Sequence, residues 1–342
     1  MIRKHPPKVL VTGGTGYIGS HVVVELMNRG YDVIITDNLI NSHIGVLDQI
    51  TKLTGKTPVF YQTNLVSLPA TEEIFKEETP DLVLHFAGLK SVADSIEQPL
   101  LYYRNNLLST LNLLDAMRRF NVKKIIFSSS ATVYGNTSGP VFTESSPTGQ
   151  GITNPYGRTK YMLEEILKDV CTSDPSFSAV ALRYFNPIGN HPSGLLGENP
   201  NGIPNNLMPY IIKVATGELS ELSIYRNDYD TRDGTCRRDY IHVSDLAKGH
   251  LATIPALDTP GFKVYNLGTG TPTSVLELVS AFERVSGRPL PHRFAPRRPG
   301  DLAELWANTS KAAHDLGWHA TLTVDDAIRD TLAFIKNPIR KA

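Results

Sequence analysis

Cysteine is nearly absent: Cys171 and Cys236 are the only two in 342 residues. Two thiols make no disulfide framework, and without a Cys-x-x-Cys or Cys/His spacing they frame no metal site either. A long apolar run is missing too. No stretch approaches the ~20 residues a membrane helix requires, and the opening MIRKHPPKVLVTGG lacks the apolar core and cleavage site of a secretory signal. Neither sign of charge is in excess, because 34 Lys and Arg balance 34 Asp and Glu. That balance removes any global attraction to nucleic acid or an acidic membrane, leaving only local basic clusters to bind anions. Repeats and low-complexity tracts are likewise absent. The expectation is a soluble, cytoplasmic, globular protein with no metal and no nucleic-acid or membrane partner, long enough for about two domains.

What is present is a regular alternation. Apolar runs at 8–12, 32–36, 58–61, 81–87, 123–128 and 178–185 are rich in Val, Ile and Leu, as suits strands buried on both faces. Helix-period segments at 17–29, 69–78, 99–119 and 156–171 lie between them. This predicts an α/β fold with a Rossmann-type doubly wound parallel sheet. After Asn186 the character changes: PIGNHPSGLLGENPNGIPN (187–205) is a loop rich in Gly, Pro and Asn. Short mixed elements and loops at 226–238 and 287–301 follow. The expected division is a first domain at 1–186 and a smaller mixed α/β C-terminal domain at 187–342, some of whose segments return to pack on the first.

The first strand runs directly into GGTGYIG (13–19). Gly14-x-Gly16-x-x-Gly19 and Gly13-x-x-Gly16-x-x-Gly19 both fit a turn that lets backbone approach a pyrophosphate, with helix N-terminal N–H donors behind it. An ordinary strand-to-helix turn is the plain alternative, but strand before and helix after meet the condition for a dinucleotide site. Asp37 ends the second strand, where a carboxylate accepts both ribose hydroxyls and repels a 2′-phosphate, selecting NAD over NADP. HFAGLK (85–90) ends the fourth strand: Ala87 and Gly88 permit close approach, His85 is expected in the packed core, and Lys90 suits a phosphate or ribose. SSSATVYG (128–135) puts hydroxyls at the end of the fifth strand, where turn capping is the bland alternative.

NPYGRTK (154–160) then places Tyr156 and Lys160 on one face of a helix opening at Pro155. Chance alone yields roughly one such pair in a chain of this kind, so the weight lies in the ordered set. A free phenol, with a pKa near ~10, is a poor base at neutral pH. An ammonium about 5 Å away, at an effective dielectric near ~20, favours the phenolate by roughly 3 kcal/mol, or about two pKa units. A nicotinamide cation adds to the effect. Tyr156 is then expected to take a hydroxyl proton while the carbon beneath gives hydride to NAD, with a hydroxyl from 130–132 sharing the hydrogen bond.

VTGGTGYIGSH, HFAGLK, FSSSATVYG, NPYGRTK, LRYFNPIG, GIPNNLMPY, RDYIHV, YNLGTG and APRRPGD occur in this order. With them the chain resembles the extended short-chain dehydrogenase/reductases over nearly its whole length, and within them the C4 epimerases of UDP-galactose and UDP-glucose in galactose metabolism. The resemblance implies a tightly held NAD on the sheet and a UDP-hexose on the C-terminal region. For the cofactor it implies a pyrophosphate turn of Gly13, Gly16 and Gly19, with backbone donors from Tyr17 and Ile18. Asp37 would hold the adenosine ribose near Asn38, Asn41 and Ser42, with Asn64 and Leu65 by the adenine. Phe86, Ala87, Gly88, Lys90 and Asn105 would line the middle, and Tyr184 would approach the nicotinamide. Ser130 would be the hydroxyl partner, Tyr156 the base and Lys160 its electrostatic helper.

Lys90, Ser130 and Tyr156 would also face the substrate, with Phe185, Asn186, Asn206, Leu207, Tyr225, Arg238, Arg298, Asp301 and Leu305. The guanidinium forks of Arg238 and Arg298 suit a diphosphate; surface salt bridging is their plain alternative. A homodimer paired through helices near 99–119 and 156–171 is implied as well. The chain departs from the family pattern in places. Asn64 replaces a common Asp near adenine, Tyr225 a Phe that stacks near uracil, and Cys236 and Arg237 smaller residues. Leu305 is intermediate between a tyrosine gate and the smaller residue that admits an N-acetyl group. Galactose and glucose are therefore the expected pair, with acetamido sugars left open. Two other readings compete. A nucleotide-sugar 4,6-dehydratase usually carries an Asp-Glu pair after the catalytic hydroxyl, but Ala131 and Val133 flank Thr132 here; a net dehydrogenase would accumulate NADH. A non-catalytic NAD or sugar-nucleotide binding module is not excluded by fold alone, though Ser130, Tyr156 and Lys160 count against it.

Overall fold

The computed structural model describes residues 6–136, 139–199, 206–296 and 302–337; the expected substrate residues Arg298 and Asp301 lie outside them. In chain order the first eight strands are β1 (Lys8–Thr12), β2 (Asp32–Asp37), β3 (Val59–Gln62), β4 (Leu82–His85), β5 (Lys124–Ser130), β6 (Val141–Phe142), β7 (Ser178–Tyr184) and β8 (Asn186–Ile188). Then come β9 (Leu222–Tyr225), β10 (Arg237–His242), β11 (Gly261–Leu267), β12 (Pro272–Ser274), β13 (His292–Ala295) and β14 (Glu304–Ala307). A seven-stranded sheet has the order β11-β7-β5-β4-β1-β2-β3, with every pairing parallel.

The near-continuous apolar runs are explained by what covers this sheet. Val9 and Val11 of β1 point to one face, packing with Val33, Ile35, Leu82 and Leu84; Leu10 points to the other, with Ile34, Val83, Ile125 and Phe127. Both faces are dry, so alternate side chains have no polar side to occupy. Helices α1 (Tyr17–Asn28) and α2 (Val46–Thr54) cover the first face. On the second lie α3 (Leu68–Glu78), α5 (Pro99–Arg119) and α6 (Pro155–Ser173), with the short α4 (Val92–Glu97) beside them.

The expected boundary after Asn186 is crossed from both sides, since β6 of the first half pairs with β14 in the smaller sheet. From the second half, α8 (Val243–Thr253) brings Leu246, Ala247 and Leu251 into the core with α1, and β11 becomes the edge strand of the large sheet. The remainder forms a smaller mixed layer. Its sheet runs β12-β10-β14-β6 with β8 on β10, packed with α7 (Leu207–Ala215), α9 (Val275–Ser286) and α11 (Val324–Lys336), while α10 (Ser310–Leu316) lies on β11. The loop expected at 287–301 contains a strand, β13, paired in parallel with β9 from His292 opposite Leu222 to Ala295 opposite Tyr225.

Strand order reverses between β1 and β4, so the loops that follow them part and open a crevice at their carboxyl ends. The site lies there.

Candidate active site

At the head of the crevice the glycines are steric requirements. Gly13 has φ +70°, and a Cβ there would stand 2.8 Å from the Ala87 backbone nitrogen; one on Gly19 would strike the Gly13 carbonyl. Gly16 caps α1 with no side-chain bond, so the first-turn N–H groups of Tyr17 and Ile18 are presented to the cleft with the positive helix dipole. The floor is small for the same reason a pyrophosphate needs it to be.

The cleft encloses about 550 Å³. Every expected cofactor residue except Ser130 lines it, from Asp37, Asn38, Asn41, Ser42, Asn64 and Leu65 at one end, past the glycines, Phe86–Lys90 and Asn105, to Tyr156, Lys160 and Tyr184. Asp37 is nearly buried. Its carboxylate accepts from Thr15 N (3.3 Å), Leu39 N (2.9 Å) and Ser42 Oγ (3.1 Å), bonds that aim it before any ribose arrives. The Asn64 Oδ1 accepts from Val66 N at 3.2 Å and has a second lone pair. His85 is a satisfied core residue, as expected, bonded to Thr12 Oγ1 at 2.7 Å and Thr110 Oγ1 at 2.9 Å.

At the far end, Asn154 caps α6 by accepting from Gly157 N at 2.8 Å, and Pro155 opens the first turn. This sets Tyr156 and Lys160 one turn apart, the tyrosine half-buried and the lysine buried. The Lys160 ammonium donates to the Ser128 carbonyl at 2.5 Å and lies 5.9 Å from the Tyr156 ring centre. The Ser130 hydroxyl stands near enough to the Tyr156 phenol to lower its pKa. Ser130 in turn accepts from Thr132 N (3.2 Å) and Thr132 Oγ1 (3.0 Å), which fixes it at the start of a 3₁₀ turn over 131–134.

The expected electrostatics need correction. Burial pushes the Tyr156 phenol up to about 12, against the lowering effect of Ser130, and pushes Lys160 down to about 7, against the raising effect of Glu164. Each charged form loses more hydration than the neighbouring group returns. The lysine alone therefore does not bring the Tyr156 phenol below its ordinary value.

Of the expected substrate residues among those described, Lys90 and Tyr156 line this cleft, and Ser130, Phe185, Asn186, Asn206, Leu207, Tyr225, Arg238 and Leu305 do not. Phe185 is buried with Ala131 and Val133, and Leu305 packs on the same cluster. Leu305 is the register partner of Arg238, and Asn186 pairs with Tyr240 on the same strand, β10. These side chains thus gather at one sheet. Tyr225 ends β9, and Leu207 opens α7.

Sequence reasoning missed the roof. Gly194–Asn199 closes the cleft opposite the glycine turn, with Phe334 and Asn337 behind it. Glu198 pairs with Lys90 at 3.2 Å and accepts from Asn206 Nδ2 at 3.2 Å, tying an expected cofactor contact to an expected substrate contact. The only mark in the sequence is that Glu198 is the sole carboxylate in 187–205, which does not say where the loop lies.

Such a cleft belongs to proteins that hold a dinucleotide beside a proton-transferring tyrosine. The chain belongs to the NAD dependent epimerase/dehydratase family, whose model matches residues 9–268. NAD is accordingly the dinucleotide of this cleft, and the glycine floor, the α1 donors and Asp37 fit it. The chain is 53% identical over 324 residues to UDP-glucose 4-epimerase of Bacillus subtilis, covering 94% of this chain and 95% of that one. It is 49% identical over 330 residues to UDP-glucose 4-epimerase of Homo sapiens, covering 94% of each. UDP-glucose 4-epimerase from Bifidobacterium longum, solved in complex with NAD+ and UDP, superposes with a TM-score of 0.93 at 54% identity, over 97% of this chain and 99% of that one.

Proposed function

We propose that this chain interconverts UDP-galactose and UDP-glucose by inverting C4 through a 4-keto intermediate, with NAD kept bound throughout. The observation that carries the reading is Tyr156 in the wall of the glycine-floored cleft, one helical turn from buried Lys160, whose ammonium donates to the Ser128 carbonyl at 2.5 Å. NAD, when bound, supplies the hydride acceptor and a further positive charge that favours the phenolate. Tyr156, aligned by Ser130, takes the C4 hydroxyl proton and later returns it. Lys160 holds the Ser128 end of β5 and adds its own charge. Between the two transfers the pyranose turns over, so the substrate must be gripped through UDP and left loose around the sugar. Arg238, Arg298, Asn186 and Asn206 are assigned to that grip, and Phe185 and Leu305 to the wall of the sugar space.

No carboxylate occupies the Ala131-Thr132-Val133 turn, which disfavours a dehydratase. The test is to incubate purified protein with UDP-galactose, and separately with UDP-N-acetylgalactosamine, without added NAD, and to identify products by NMR. UDP-glucose with no accumulating NADH is the expected result, and Leu305 sets how far the acetamido sugar follows. Net NADH would overturn the reading in favour of a dehydrogenase. Ligand binding without conversion would favour a binding module.

The working unit is proposed to be a cytoplasmic homodimer. Support comes from the face of α5 bearing Leu100, Leu108 and Leu111, exposed by 36% or more, with Met162 of α6 likewise exposed beside it. An apolar stripe of this kind on adjacent helices fits a second copy of itself. Leu108→Glu combined with Leu111→Glu should give monomers in sedimentation velocity; an unchanged dimer would place the interface elsewhere.

A further inference from the structure

Behind the cleft wall, at the end that holds Tyr156, lies a histidine with no role in the chemistry described so far. His250 of α8 is fully buried, and its ring sits 5.3 Å from that of Tyr184 and 5.0 Å from that of Phe86, both lining residues. Its Nδ1 lies 2.8 Å from the Leu246 carbonyl oxygen, and its Nε2 lies 2.5 Å from the Tyr184 hydroxyl. A carbonyl can only accept, so Nδ1 carries the hydrogen. Burial pushes the ring down to about 4, so at neutral pH it carries only that one hydrogen, and Nε2 is a bare acceptor.

The direction of the next bond follows. Tyr184 must donate its hydroxyl hydrogen to Nε2, away from the cleft. Burial also raises the Tyr184 phenol, so that hydrogen stays in place. The chain therefore runs one way, Tyr184 to His250 to the Leu246 carbonyl. Where Tyr184 lines the cleft, its oxygen offers lone pairs and no hydrogen.

We propose that His250 is a positioning residue that makes this stretch of wall an acceptor surface, so that it selects a cofactor whose pyridine ring carries a hydrogen-bond donor. The inference rests on the reading of the cleft as an NAD site. The hydride-accepting ring has to lie beside Tyr156, and its only hydrogen-bonding substituent is the carboxamide. An NH₂ group complements lone pairs, whereas an acetyl group in its place sets oxygen against oxygen. Nothing in the local sequence marks His250, because the bond is made across 66 residues.

The test uses purified holoenzyme, stripped and reloaded either with NAD or with 3-acetylpyridine adenine dinucleotide, which accepts but cannot donate at that position. The readout is retained dinucleotide per chain and its dissociation constant, independent of turnover. The wild-type chain should prefer NAD by about tenfold, the worth of roughly one hydrogen bond. His250→Phe frees the Tyr184 hydrogen to point into the cleft and should erase or invert that preference. His250→Gln, whose side-chain oxygen can still accept from Tyr184, should restore it. Equal weakening of both dinucleotides by His250→Phe would reduce His250 to packing and overturn the proposal. Should His250→Phe not fold, ¹⁵N-histidine NMR of the wild-type holoenzyme decides: Nδ1–H with bare Nε2 is expected, and the Nε2–H tautomer would overturn it. A wild-type chain retaining neither dinucleotide would sink the NAD reading itself, and the tautomer would still judge His250.

Discussion

Tyr156 and Lys160 face opposite penalties from the same burial. A neutral phenol and a neutral amine are both favoured in a dry site, which is why Tyr156 moves up to about 12 and Lys160 down to about 7. Replacing Tyr156 by Phe removes the proton acceptor and leaves the ring that lines the cleft. Turnover of UDP-galactose should fall by roughly 10²–10⁴-fold while NAD content, read by absorbance after gel filtration, stays at one per chain. Lys160 makes a second prediction, on stability. Its folded pKa lies below its unfolded value, so between about pH 7 and 10.5 the unfolded chain binds the extra proton. Stability rises with pH wherever the unfolded state holds more protons. Urea denaturation of the cofactor-stripped chain should therefore show stability increasing from pH 7 to 9.5, by an amount on the order of a few kcal/mol, below the range where Tyr156 opposes it. Lys160→Met should flatten that slope; a slope unchanged by the substitution would mean the lysine is not desolvated.

At the scale of elements, the catalytic register is a contact between α6 and the 131–134 turn. A Cβ on Gly157 would come within 2.9 Å of Ile152 Cγ2 and 3.1 Å of Thr132 Cβ, and Thr132 is the residue that fixes the Ser130 hydroxyl. Gly157→Ala should push the turn off the helix and lower kcat by roughly 10–100-fold, with NAD retained; unchanged kcat would show that the turn yields without moving Ser130. This contact illustrates what a linear reading reaches. Six of the seven strands of the large sheet, α1, α6 and their motifs were legible because buried strands, a glycine turn and a proline-opened helix are local patterns of residue type, whereas the edge strand β11 was not foreseen. The spacing that put Tyr156 and Lys160 on one face was legible too. The roof at 194–199 was not, because a Gly- and Pro-rich segment shows only that it is a loop, while its position is set by distant partners such as the Asn337 side chain, which donates to the Gly194 carbonyl at 3.0 Å. The pKa directions were misread for a related reason: spacing measures the distance between two charges and says nothing of the water each has lost.

Across the whole molecule, the same seam that joins the two sheets closes the cofactor cleft. The Tyr17 hydroxyl donates to the Gly189 carbonyl at 2.5 Å, spanning 172 residues, and burial holds its phenol well above the usual range, so it remains a donor at any working pH. Lys90 reaches Glu198 across the same gap, with its ammonium 5.9 Å from the Tyr17 ring centre. We expect these two bonds to retain a dinucleotide lying between α1 and the 194–199 segment. A reaction that removes hydride and returns it needs such closure, since loss of the cofactor midway would strand a ketone. Tyr17→Phe keeps the ring under Lys90 and deletes only the hydroxyl, leaving the buried Gly189 carbonyl without that donor. Leaving a buried carbonyl unpaired costs roughly 1–3 kcal/mol, paid only while the seam is shut, so opening becomes easier by about that amount. NAD release into cofactor-free buffer, followed by a spin-column time course, should accelerate by about tenfold, with the kcat of the still-loaded enzyme little changed. A release rate equal to wild type would mean that the cofactor escapes by a path that does not separate Tyr17 from Gly189, and that the roof does not retain it.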